Sequence, residues 1–377
     1  MAKSISQNVK DVRKIDTTLV NKDEVFRMLA LAEATKLPLL LVGKPGTAKT
    51  KTVVEYAKAY LTKNNQQITE ADFMNKIFIL ETDEGTKSSE IKGMPDLEKL
   101  FADNKYTLST PVAEAEVVVI NEVDKAASNI RNSLLGVMNE RFLFNGKYKI
   151  PCKWNLFVAT CNDIPKDEIN SPFWDRFMLK MQVNRVSAGE LLNYYKAGDK
   201  GYKDQINVSV PTKDEINAVK ISPNKLDKFL NVAYNKLSDR TLSFVPFLTK
   251  AVSLIWNYSV DKALVKVAGI MLDTSSANTL QSSLYSPELK NVLTKIETLV
   301  SYNTEEQFKQ AIVEIEGLIA GYASKGIINA EDVAEIETTL NYAIDNHSLK
   351  NSLNADEALM SNLDEVEVGN ELPSSPF

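Results

Sequence analysis

The chain is nearly without histidine and cysteine: in 377 residues it has one His, His347, and two Cys, Cys152 and Cys161. That scarcity excludes whole classes of chemistry. Two thiols cannot build a disulfide framework, and they stand in no metal-ligand spacing. A zinc centre or a Ser-His-Asp triad would have only His347 to draw on. Such thiol usage fits a reduced compartment, and a cytoplasmic protein is expected. Long hydrophobic runs are missing too. No stretch approaches the roughly 20 apolar residues of a membrane span, and the opening MAKSISQNVKDVRK lacks the apolar centre of a signal peptide. Positive charge is not in excess either. The formal net charge is -6, and the acidic end of the chain (Asp356, Glu357, Asp364, Glu365, Glu367 and Glu371, with no Lys or Arg among them) accounts for it. A near-neutral body is a poor footprint for gripping duplex nucleic acid by charge.

What is present is ordinary for a globular protein: 44% hydrophobic and 25% charged residues. At roughly 100–200 residues per domain, the length suggests two domains and a small third. Residues 1–20 read as a polar lead-in. Asn21, with Glu24 three positions later, has the form of a helix start, and Val25, Phe26, Leu29 and Ala32 supply its apolar face. Short apolar runs then alternate with helical stretches to about residue 185. LPLLLV (37–42), KIFILE (76–81), VVVI (117–120) and LFVAT (156–160) read as strands, and residues 128–138 as a helix. Asn145–Gly146 is a hairpin-turn signal. This alternation predicts an α/β domain over 21–185, a parallel sheet wrapped by helices. Helical stripes follow: Leu226, Phe229, Leu230 and Ala233; Phe247, Val252, Ile255 and Trp256; Phe308, Ile312, Ile315 and Ile319; Val333, Ile336, Leu340 and Ile344. They predict an α-helical lid over 186–275 and a helical extension over 276–350, and Thr304 with Gln307 resembles a capping box. Residues 351–377 have the composition of a disordered acidic tail.

The chemistry gathers at GKPGTAKT: Gly43, Lys44, Pro45, Gly46, Thr47, Ala48, Lys49 and Thr50. A strand precedes it and a helix with Val53, Val54, Ala57, Tyr60 and Leu61 on one face follows. Backbone N–H groups in such a loop, backed by a helix N-terminus, make an anion nest. In the G-x-x-x-x-G-K-[ST] pattern the lysine reaches the β- and γ-phosphates of a nucleotide and the hydroxyl ligates Mg²⁺. Here Ala48 stands where the second glycine usually does. Such a loop needs a strand ending in acidic residues, and VVVI supplies one with Asn121 and Glu122 after it. Glu122 is placed to polarise an attacking water.

The order GKPGTAKT, VVVINEVDKAASNIRNSLLGVMNER, LFVATCND, SPFWDRF, LSDRT resembles the MoxR family of AAA+ ATPases, over roughly residues 20–270. The resemblance implies an AAA+ P-loop NTPase core followed by an all-α lid, with ATP and Mg²⁺ as ligands. It implies a homo-oligomeric ring, expected to be a hexamer, that remodels a protein complex beside a von Willebrand A-domain partner. It makes Asn162 the sensor-1 residue, Arg176 the arginine finger that completes a neighbour's site, and Arg240 the sensor-2 arginine of the lid. Arg141 would face a subunit interface. Lys87, Lys92, Lys147 and Tyr148 lie on segments that project toward the pore. One position departs: the family has Asp before the catalytic Glu, an indirect Mg²⁺ ligand, where this chain has Asn121. Asn keeps an oxygen acceptor and loses the charge. Asp124, three residues on, is a candidate to compensate. Two other readings use the same residues, a nucleic-acid-acting motor and a nucleotide-gated scaffold with weak hydrolysis.

Overall fold

The computed structural model describes residues 11–62, 68–95, 101, 108–145, 148–165, 171–196, 203–272, 274–299, 302, 304–328 and a few positions between 333 and 344. The chain divides into two compact units, residues 5–280 and residues from 281 onward. The strands of the first unit are β1 (Val12–Thr17), β2 (Leu39–Val42), β3 (Ile77–Glu81), β4 (Met94–Pro95), β5 (Leu108–Ser109), β6 (Val117–Asn121), β7 (Phe142–Asn145), β8 (Tyr148–Pro151), β9 (Leu156–Cys161), β10 (Leu179–Gln182) and β11 (Asp204–Ser209). Its helices are α1 (Asp23–Thr35), α2 (Lys49–Leu61), α3 (Glu70–Lys76), α4 (Ser88–Lys92), α5 (Pro111–Glu114), α6 (Ser128–Leu135), α7 (Pro172–Asp175), α8 (Ala188–Lys196), α9 (Lys213–Ala218), α10 (Pro223–Ala233), α11 (Asp239–Trp256) and α12 (Val260–Met271). α13 (Thr274–Leu284) runs across the division.

A five-stranded parallel sheet, in the order β10-β2-β9-β6-β3, organises the unit. Every residue of β2, β6 and β9 is buried. Central parallel strands are covered by helices on both faces, so they appear in the sequence as unbroken apolar runs. Register decides what those strands deliver. Val42 pairs with Cys161, Ile120 with Ala159, and Glu81 with Asn121. The residues just past each strand, Gly43, Glu122, Asn162 and Thr82, therefore line one edge of the sheet. Below that edge, Trp154, Phe157, Phe173, Trp174 and Phe177 belong to the core cluster that also holds β6 and α6 side chains. The Asn145–Gly146 hairpin is present as β7 paired with β8; Gly146 and Lys147 lie outside the described residues.

The lead-in expected over 1–20 is corrected by β1, which pairs antiparallel with β11 from Val12↔Ser209 to Thr17↔Asp204. The α/β part thus takes in residues beyond 185. The sequence does not signal this strand, because its buried face is Arg13, Ile15 and Thr17, with one apolar side chain among them. Arg13 is held by Asp11 and by Glu33 of α1, Nη2 to Oε1 at 2.6 Å, and Tyr56 Oη of α2 donates to Glu33 Oε2 at 2.7 Å. The start of α1 is also corrected. Lys22 is its N-cap, and Asn21, in the left-handed region at φ 52°, precedes it. Glu24 reaches the lid instead of capping: its carboxylate accepts from Trp256 Nε1 at 2.8 Å and from Lys266.

The lid comprises α9 to α12, with Phe229, Ala233, Val245, Leu248, Val252, Leu264 and Val267 buried. Leu230, expected on the same stripe, is 38% exposed. The capping box of this region belongs to Thr212 and Glu215, which exchange both hydrogen bonds at the start of α9. The second unit has its own core, built by α14 (Pro287–Leu299), α15 (Glu305–Ser324) and Ile336, Leu340 and Ala343. Thr304 caps α15 by accepting from the Gln307 N–H. The acidic tail lies outside the described residues. No helix among the described residues is long and apolar enough to cross a membrane.

Candidate active site

The loop from Gly43 to Thr50 leaves β2 and enters α2. At Gly43 the sequence has no choice, because a Cβ would sit 2.3 Å from the Val183 carbonyl oxygen. Gly46 takes φ +82°, a conformation open to glycine at little cost. Ala48 takes φ 61°, which costs an L-residue with a Cβ roughly 1–2 kcal/mol. That conformation explains why the loop pattern favours glycine there, and it leaves a strained residue inside the site. Thr47 Oγ1 ties the loop by donating to the Lys44 carbonyl at 2.9 Å. Lys44, Pro45 and Gly46 are exposed at its tip.

Lys49 folds back across this loop and donates to the carbonyls of Gly43 and Lys44, the latter at 3.3 Å. Burial lowers its pKa, while Cys161, Asp124 and Glu122 act in the opposite sense. Burial also pushes the Cys161 thiol up to about 12, so it is a neutral side chain at physiological pH. Thr50 Oγ1 donates to Asn121 Oδ1 at 2.9 Å, and Thr160 Oγ1 reaches the same oxygen at 3.3 Å. Asn121 is 3% exposed, and its Nδ2 is buried without a hydrogen-bond partner.

Glu122, just past β6, lies in the left-handed region, φ 54°, and a 3₁₀ turn over Val123–Lys125 follows. Two contacts hold the kink: the Glu122 N–H donates to Thr160 Oγ1 at 3.3 Å, and Thr82 Oγ1 donates to the carbonyls of Asn121 and Glu122, each at 2.9 Å. The Glu122 carboxylate pairs with Lys125 at 2.6 Å. Their side chains are 44% and 52% exposed, so the pair is weakly held. The turn carries Asp124 back over the end of β9, where its Oδ2 accepts from the Asn162 N–H at 3.4 Å. Its Oδ1 is buried and makes no hydrogen bond.

The structure thus brings the loop, Asn121, Glu122, Asp124 and Asn162 to one sheet edge, with Thr82 and Thr160 as supports that no sequence motif marks. Among the described residues neither Arg176 nor Arg240 is hydrogen-bonded to this group. Arg176 follows α7, fixed by the edge-to-face rings of Phe173 with Trp174 and Phe177, with centroids 5.1 and 5.5 Å apart. Its Nη1 reaches Asp175 at 3.4 Å, and its Nε is buried without a partner. It lines a cleft of about 710 Å³ together with Val42, Lys180, Lys236 and Leu237. Arg240 is exposed at the start of α11. Arg141 is engaged within its own chain: it stacks over Trp154 at 3.9 Å and donates to the carbonyls of Trp154 and Lys36, each at 3.1 Å. Lys87 is exposed ahead of α4 and Lys92 ends that helix. A second cavity, about 620 Å³, lies beside Thr35 and Lys36, at the opposite end of β2 from the loop.

Among the described residues no three His, Cys, Asp or Glu side chains converge into a metal cage. A magnesium ion at Thr50 would instead share oxygens of phosphate and water, its usual habit at nucleotide sites. The residues present fit that arrangement, with a hydroxyl at Thr50, a buried carboxylate oxygen at Asp124 and a cation at Lys49.

Comparison with known proteins agrees with this geometry. Residues 6–222 match the family described as the MoxR domain of MoxR–vWA–β-propeller ternary systems. A structural protein of Acidianus two-tailed virus is 27% identical over 174 residues, 45% of this chain and 26% of that protein. Two uncharacterized proteins of Methanocaldococcus jannaschii are 27% and 28% identical over 50% and 45% of this chain. The chain spans less than half the length of each of these relatives. In structure it is similar to a candidate ATPase from Cytophaga hutchinsonii, with a TM-score of 0.50 and 16% identity over 68% of this chain and 83% of that one. At that identity the likeness concerns the fold alone.

Proposed function

The chain belongs to the MoxR family of AAA+ ATPases, and from that premise we propose that it binds ATP with Mg²⁺ at residues 43–50 and hydrolyses it at sites shared between subunits of a ring. The observation that carries the reading is the hydrogen bond from Thr50 Oγ1 to Asn121 Oδ1, which joins the phosphate loop to the strand end that bears Glu122. Loop N–H groups and Lys49 hold the phosphates. Thr50, oriented by Asn121, would hold the metal, which when bound would supply neutralisation of phosphate charge.

Glu122 accepts the proton of the attacking water as its oxygen bonds to the γ-phosphorus. The bond from that phosphorus to the bridging oxygen breaks, and ADP departs with the electron pair. The carboxylate must first leave Lys125, a small cost for an exposed pair. Asn162 orients the water, Arg176 reaches a neighbouring subunit's γ-phosphate, and Arg240 contacts the nucleotide from the lid. Residues 213–272 serve as the lid and the unit from 281 as a separate extension. A von Willebrand A-domain protein is the proposed partner, supported by the description of the family, and remodelling of a protein complex is the proposed work. The neutral Asn121 favours a second reading, a nucleotide-gated scaffold that turns over slowly.

Magnesium-dependent ATP hydrolysis measured against protein concentration tests this. A rate per subunit that rises with concentration supports shared sites. Tight ATP binding with negligible turnover at every concentration favours the scaffold, and absent ATP binding removes both readings.

A further inference from the structure

We propose that Asp124 supplies the carboxylate missing at Asn121, its buried Oδ1 accepting a hydrogen bond from a water on the ATP-bound magnesium. The inference rests on the reading of residues 43–50 as an ATP site. Three observations carry it.

First, Asn121 has no acceptor to offer. An amide oxygen has two lone pairs, and the Thr50 and Thr160 hydroxyls take both, at 2.9 and 3.3 Å. The remaining polar atom of Asn121 is a donor, buried without a partner, and a donor does not accept from metal-bound water. Asn121 therefore orients the Thr50 hydroxyl and contributes no charge.

Second, Asp124 has the acceptor and the charge. Its Oδ1 is buried with no hydrogen bond, an arrangement that costs more for a charged group than for a neutral one. Its one hydrogen bond among the described residues, from the Asn162 N–H to Oδ2 at 3.4 Å, would be served equally by a neutral asparagine. Lys49 and Lys125 lie near enough to feel the charge, but no direct ion pair holds it among the described residues, and a bound cation would complete its surroundings.

Third, the backbone aims it there. Glu122 in the left-handed region and the 3₁₀ turn of Val123–Lys125 reverse the chain, so Asp124 lies over the end of β9, beside the loop strand β2, where its charge acts on Lys49 and Cys161. Glu122, a second carboxylate that acts on Lys49, is engaged by Lys125.

The test is the factor by which Mg²⁺ tightens binding of a non-hydrolysable ATP analogue, measured by calorimetry with and without the metal. Asp124→Asn should reduce that factor by about tenfold or more, the usual cost of losing an outer-shell metal partner, with metal-free affinity unchanged or tighter. Adding Asn121→Asp to Asp124→Asn should restore it by returning a carboxylate to the strand end. A factor in Asp124→Asn equal to the parent's overturns the proposal. So does a loss that Asn121→Asp fails to recover, which would mark Asp124 as a packing residue. If the parent takes up no analogue, or Lys49→Ala takes it up equally well, the ATP-site reading falls and the proposal falls with it.

Discussion

Two clusters of buried polar side chains stand at opposite ends of the same sheet, and they are built on opposite principles. At the end where β2 begins, Arg13 is held by Asp11 and Glu33, and Glu33 also takes the Tyr56 hydroxyl. Arg13 and Glu33 are each 3% exposed, and each charge faces an opposite charge. At the end where β2 stops, the Thr50 and Thr160 hydroxyls donate to Asn121 and Asp124 accepts from the Asn162 N–H, but Asn121 Nδ2 and Asp124 Oδ1 are left unmatched. Buried polar groups in native proteins are nearly always satisfied, and an exception calls for an explanation. The closed cluster ties β1 to α1 and α2. The open one is shaped for something that completes it. Left-handed residues stand at both ends, Ala48 and Glu122 at this one and Lys36 and Arg141 at the other, so the unmatched polar atoms are what set the open end apart.

That contrast predicts which changes damage activity and which damage stability. Glu122→Gln should lower ATP hydrolysis by about 10²–10⁴-fold with the melting temperature and ATP affinity little changed. A comparable loss of stability would place Glu122 in the closed class. In the other cluster, Glu33→Ala removes the buried one of the two carboxylates that hold Arg13 and should cost about 3 kcal/mol in urea unfolding, while the folded fraction binds ATP as the parent does. Tyr56→Phe removes one donor from the Glu33 carboxylate and should cost about 1–3 kcal/mol by the same measurement. The smallest effect is a gain. Ala48→Gly relieves a left-handed residue and should raise stability by about 1 kcal/mol, a sign that sets the strained loop apart from the well-packed end.

The sequence shows the open end far better than the closed one. Strands buried on both faces announce themselves as LLLV, VVVI and LFVAT, and glycines mark the loop where backbone geometry demands them. The kink at Glu122 is not visible, since nothing in NEVDK signals a left-handed glutamate. β1 was hidden because its inward residues include Arg13 and Thr17, whose partners lie in α1 and α2. Thr160 and Thr82 were hidden because a threonine at a strand end is unremarkable until the register places it against Asn121. Asn21 and Glu24 imitate a helix cap, yet Glu24 is drawn to Trp256 and Lys266 of the lid. Local pattern was overridden wherever a side chain found its partner far along the chain.

If ATP is hydrolysed at sites completed by a neighbouring subunit, as proposed above, mixing two inactive variants should restore activity. Glu122→Gln and Arg176→Ala are each expected to be inactive alone, the arginine loss alone costing roughly 10³–10⁵ in rate. Mixed in equal amounts, they should regain Mg²⁺-dependent ATP hydrolysis, because some interfaces then join an intact Glu122 to an intact Arg176. A mixture as inactive as its components, under conditions where the two variants co-assemble, would contradict the claim.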